Sequence, residues 1–145
     1  MMRGFKNLIL TLAISFIALN ATAEDSVFNW TKVMDAIIQV ESKGNPKAYN
    51  KRSNCVGILQ ITPTLVKECN NILKRKRSAK RYTLKDRWDA EKSKEMFVIF
   101  QEEHNPSHDV EKAIRMWNGG PNYSKGKTNI YLRKVMKWYE NKGSD

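Results

Sequence analysis

Cysteine, acidic side chains and long apolar runs are all scarce in this chain, and each shortage narrows what it can be. Its only cysteines, Cys55 and Cys69, have no histidine close by in sequence and make a poor zinc site. They either pair, closing a short loop worth about 3 kcal/mol in the chain-entropy model, or remain two small buried thiols. The mostly apolar stretch from Leu8 to Leu19 is too short to cross a bilayer comfortably. No internal repeat and no long linker interrupts residues 24–145, a stretch that suffices for one compact domain and not for two. Acidic residues number 15 against 26 lysines and arginines, a formal charge of +11. That surplus favours anionic partners such as wall polymers and membrane surfaces, through an attraction that salt screens.

What is present begins with a leader. Arg3 and Lys6 precede the apolar stretch, and Ala21-Thr22-Ala23 supplies a small-residue cleavage site, the pattern of a secretory signal peptide over residues 1–23. No cysteine follows the cut, which argues against a lipid-anchored form. The exported remainder, residues 24–145, keeps 24 basic residues against the 15 acidic ones, a net charge of +9. A periplasmic or secreted destination permits a disulfide. It also takes the chain away from nucleic acid, for which no binding motif appears and which is not expected as a partner.

The remainder reads as mainly α, a set of helices with at most a very small extended segment. Trp30, Val33, Met34, Ile37 and Ile38 recur at the three-and-four spacing of one helix face, and the next step of that series is Glu41. Gly44 and Pro46 stop this helix, spanning about Trp30 to Ser42, so the carboxylate belongs in its last turn against the core. Burial disfavours the charged form of a carboxyl group, and a raised pKa is what a general acid needs. Cys55 to Ile61 forms a short apolar segment, extended or a tight helical turn. Thr62-Pro63 opens a helix to about Leu73. Thr83 and Asp86 resemble a capping box, opening a helix that turns Trp88, Met96, Phe97 and Phe100 to the core and ends near His104. Ser107 is the capping candidate for a helix carrying Val110, Ala113, Ile114 and Trp117. A last helix, about Thr128 to Asn141, has a broad apolar face including Trp138, and Gly143 ends it.

Two further clusters invite functional readings. His104 and His108 are four apart, but Asn105-Pro106 breaks the helix between them, so they read as ordinary loop histidines and no metal or cofactor is expected. Lys74 to Arg81 places six basic residues among eight, either a solvated stretch or a contact for an anionic envelope surface.

Glu41-Ser42, Gly57-Ile58-Leu59-Gln60-Ile61-Thr62-Pro63, Trp117-Asn118-Gly119-Gly120-Pro121 and the pair Thr128 and Tyr131, in that order, resemble the motifs of the soluble lytic transglycosylases. Two positions depart from the pattern: Trp117 stands where the family usually has Tyr, and Lys127 where an acidic residue often precedes the Thr. The resemblance implies a lysozyme-like helical domain with a groove for peptidoglycan glycan strands. It implies Glu41 as the sole catalytic acid and base, leaving a 1,6-anhydro end with no second protein carboxylate, unlike the usual glycosidase pair. It further implies that Ser42 steadies the Glu41 carboxyl, that Gln60 and Asn118 bond sugar groups, and that Tyr131 orients Glu41 or an acetamido group. The neighbouring expectations are a goose-type lysozyme-like hydrolase, which uses water, and a non-catalytic cationic wall-binding protein.

Overall fold

A computed structural model of the protein describes residues 28–141. The leader expected over residues 1–23 and the stop expected at Gly143 lie outside the described residues. Helix α1, Thr31–Glu41, buries Trp30, Val33, Met34, Ala36, Ile37 and Ile38, the face its periodicity predicts. The chain leaves α1 through two left-handed residues, Lys43 at φ 54° and Gly44 at φ 80°, so the turn starts one residue before the glycine.

A two-stranded antiparallel hairpin follows, β1 Tyr49–Asn50 and β2 Cys55–Val56, with Tyr49 opposite Val56 and Asn50 opposite Cys55. Gly57 ends β2 at φ 79°, and a Cβ there would lie 2.1 Å from the Arg87 carbonyl oxygen, so only glycine fits. Helix α2, Pro63–Arg75, opens as its sequence predicts: the Thr62 side chain accepts from the Leu65 N–H at 3.1 Å. It runs two residues past Leu73.

The capping box at Thr83 and Asp86 forms, with one difference. It closes a short 3-10 helix, Leu84–Trp88, and the long helix α3, Ala90–His104, starts afresh under its own cap, Asp89 accepting from Lys92 N–H at 2.9 Å. The tighter winding of that short helix takes Trp88 off the α3 face. The residue expected in the core is 42% exposed, beside the Tyr49 ring. Helix α4, Val110–Gly119, is capped by Asp109 accepting from Lys112 N–H at 2.7 Å; Ser107 instead donates to Asn105 Oδ1. Asn105 is buried and bonds both the N–H and the carbonyl of Asp109, so the break before α4 is fixed from inside. Helix α5, Lys125–Asn141, begins three residues earlier than Thr128 and buries only Thr128 and Val135 fully. Its apolar face is narrower than expected: Tyr131, Leu132, Met136 and Tyr139 are half-buried, and Trp138 is 47% exposed.

The two cysteines are unpaired. Cys69 is buried where α2 meets α3, its Sγ donating to the Met96 carbonyl at 3.4 Å, while Cys55 directs its thiol to the Ser53 carbonyl. Their helix and hairpin positions give each thiol a different partner, so the pairing left open above does not form. Burial, with the Glu68 charge beside it, pushes the Cys69 thiol up to about 12 and leaves it inert. His104 and His108 go to different carboxylates, Glu68 and Glu102, each at 3.1 Å. One core runs through the fold, centred on Ile37, Leu59, Phe97, Ile114 and Val135, with α5 packed on α1 and α4, and α2 on α3.

Candidate active site

A groove of about 500 Å³ opens between the hairpin, the start of α2 and the end of α4, with Glu41 in its wall. Gln60, Trp117 and Asn118 line it too. Glu41 occupies this place because α1 ends there: the apolar stripe draws the last turn against the core, and the following left-handed turn leaves the carboxyl at the groove edge.

Among the described residues, one side chain hydrogen-bonds the Glu41 carboxyl. Tyr131 Oη donates to Glu41 Oε1 at 2.6 Å, across 90 positions of sequence. The two influences on Glu41 oppose each other. Burial raises its pKa and the Tyr131 bond lowers it, and burial is the larger, so the acid holds its proton above the ordinary carboxyl range. Tyr131 is itself displaced well upward by burial and by the Glu41 charge, so the phenol keeps its proton and remains a donor.

Tyr131 is held by groups that periodicity does not reveal. Thr128, one turn earlier on α5, is buried, and its hydroxyl donates to Ser124 O at 2.9 Å. The buried Arg115 reaches across from α4 and donates through Nη1 to Lys125 O, Thr128 Oγ1 and Asn129 Oδ1, each at 2.9 Å, while Nε meets Glu111. Arg115 therefore sets α5 against α4, and with it the position of Tyr131. In sequence Glu111 and Arg115 read as an ordinary exposed pair four apart, which conceals this role.

Gly57 to Ile61, facing Glu41, is fastened by several side chains at once. Ser42 Oγ donates to Ile58 O at 2.7 Å, so the hydroxyl expected to steady Glu41 instead ties the end of α1 to this segment. Its position just past the helix terminus turns it toward the neighbouring carbonyl. Gln60, at φ 51°, donates from Nε2 to Ala48 O and Gly57 O at 3.2 and 3.0 Å, which leaves Oε1 as the atom for a ligand. Trp117 Nε1 donates to Leu59 O at 3.2 Å and its ring packs on Phe97. Arg87, also buried and missed by sequence reasoning, donates to Asn54 O at 2.7 Å and Ile61 O at 3.1 Å. Asn118 sits at the exposed end of α4 on the groove rim.

The groove holds a second carboxylate. Glu68 of α2 lines it, with His104 Nε2 at 3.1 Å and Arg75 Nη2 at 3.7 Å. This acid lies outside both the Gln60 and the Asn118 motifs, and the family resemblance gives it no role.

The family model described as Transglycosylase SLT domain matches residues 19–131, a span ending on Tyr131. No curated protein and no solved structure matches the chain. With a family match over most of its length and a mainly helical fold, the chain belongs to the transglycosylase SLT domain family, the lysozyme-like peptidoglycan-cleaving transglycosylases.

Proposed function

We propose that the protein is an exported lytic transglycosylase that cuts the β-1,4 bond between N-acetylmuramic acid and N-acetylglucosamine with Glu41 alone as acid and base. Protonated Glu41 gives its proton to the bridging oxygen as the muramic C1–O bond breaks, releasing the N-acetylglucosamine hydroxyl. The resulting carboxylate then takes the proton of the muramic C6 hydroxyl while O6 bonds to C1. The ring closes as a 1,6-anhydro end, Glu41 regains its proton and no water is consumed. What supports this reading is the position of Glu41: a half-buried carboxyl in the groove wall, held above its ordinary pKa by burial and aimed by Tyr131 at 2.6 Å. Gln60 Oε1 and Asn118 on the groove walls are the proposed sugar contacts.

Glu68 favours one alternative, a hydrolase in which a second carboxylate activates water. Its commitments to His104 and Arg75 weigh against that use, because a general base must be free to take a proton. Digestion of purified wall sacculi with mass analysis of the released muropeptides separates the two. Anhydro-muramic ends are expected; reducing muramic ends would overturn the transglycosylase reading.

A further inference from the structure

The outward face of α5 carries positive charge and apolar surface that the groove chemistry does not use. Lys127, Ile130, Lys134, Lys137 and Trp138 recur at three-and-four spacing and form one stripe. Ile130 is 61% exposed and Trp138 47% exposed. Arg133 flanks the stripe, and among the described residues none of these cations forms an ion pair. Glu140 is the one acidic residue of the helix. No residue of α5 lines the groove, so an occupied outer face leaves the glycan site open.

The Lys74 to Arg81 stretch, the densest basic run in the sequence, differs. Arg75 and Lys76 meet Glu103, and Lys80 meets Glu95, so half of its charges are answered within the protein. No bulky apolar side chain interrupts the run. The α5 stripe offers uncompensated charge together with a branched aliphatic and an indole. A soluble polyanion would use the charges and leave Ile130 in water. A bilayer of anionic phospholipid uses both: headgroups meet the lysines, whose long stems can lie along the surface, while Trp138 and Ile130 enter the interfacial layer.

We infer that α5 is a membrane-surface docking face for anionic phospholipid, holding the enzyme at the bilayer with its groove unobstructed. The test is co-sedimentation with phosphatidylglycerol/phosphatidylcholine vesicles and with pure phosphatidylcholine vesicles. It uses the full chain and, in parallel, the chain beginning at Glu24, which keeps every core residue described above. The readout is the ratio of binding to the two vesicle types, so that any uncharged contribution of the leader cancels. In the triple variant Lys134→Gln, Lys137→Gln, Trp138→Ala, the ratio is expected to fall at least tenfold, about fivefold per cation removed near an anionic surface. Lys74→Gln with Arg77→Gln should change it less than twofold. Circular dichroism should be unaltered, and cleavage of soluble glycan chains should be retained.

An undiminished ratio in the triple variant would overturn the inference, as would an equal loss from the Lys74 and Arg77 pair. Loss of sacculus binding without any vesicle binding by the parent protein would also overturn it, assigning the face to wall polymer. Glu41→Gln should bind vesicles as the parent does, so a failed transglycosylase reading and a failed docking face give different results.

Discussion

Glu41 and Glu68 line the same groove, and their surroundings set them apart. Glu41 sits at the end of a buried stripe with an uncharged phenol as its partner, and burial prevails over that hydrogen bond. Glu68 faces His104 and, farther off, the Arg75 guanidinium, groups that hold a carboxylate in place. Position in the groove does not assign a role to either; the charge and polarity of the neighbours do. A desolvated carboxyl beside a neutral donor can store and return a proton, while one bonded to His104 serves better as a strut between α2 and α3.

The largest expected effect breaks the symmetry between the two outright. Glu41→Gln keeps the volume and removes the transferable proton, so kcat should drop by about a thousandfold or more, within the range that general acid–base groups supply. Glu68→Gln, assayed on the same sacculi, should stay within about threefold of the parent. If Glu68→Gln is the more damaging change, the assignment of acid and strut is reversed.

Periodicity located Glu41, because a charge in an oily helical series is visible without any structure. The same rule applied to α2 finds Glu68: Leu65, Glu68 and Ile72 follow the three-and-four rhythm, and Ile72 is fully buried. What that rhythm could not supply was the partner of each acid. Tyr131 lies 90 residues from Glu41, and only the ordered motifs connected them. Ser42 and Gln60 were legible as members of a pattern and illegible as fasteners, since their bonds go to backbone carbonyls that no side-chain code announces. The helices themselves were readable through their stripes and caps. Among the exceptions, Trp88 and the start of α3 arose where two capping residues, Thr83 and Asp89, compete within six positions and the chain uses both.

Tyr131→Phe sharpens the comparison by giving Glu41 burial without its donor. That bond is the contribution that lowers the Glu41 pKa, so its loss should raise the pKa further. Activity depends on the protonated acid and falls as pH rises through its pKa. The alkaline limb of the kcat/KM profile should therefore move to higher pH, while kcat drops about tenfold from lost aim, the upper end of what a neutral hydrogen bond contributes. Glu68→Gln should leave that limb in place, since Glu68 is not among the influences acting on Glu41. An alkaline limb that moves to lower pH in Tyr131→Phe would mean that the phenol favours the protonated acid.

Stability provides the smallest contrast and the one least dependent on substrate. A carboxyl whose folded pKa lies above 4.5 favours folding most when protonated, so its contribution is complete below that value and is lost as pH rises through the folded pKa. At neutral pH the unfolded carboxyl ionises freely in water while the desolvated native site opposes ionisation, a cost that glutamine does not carry. Glu41→Gln should raise the melting temperature at pH 7 by about 3 to 6 °C, equivalent to roughly 1 kcal/mol for a domain of this size, and should give no gain at pH 4. Glu68→Gln removes a solvent-screened contact instead, and should lower stability by at most about 1 kcal/mol at pH 7. Scanning calorimetry of both variants at the two pH values tests this directly. A Glu41→Gln protein that melts below the parent at pH 7 would show that the Tyr131 bond outweighs burial, removing the raised pKa on which the role of Glu41 as acid rests.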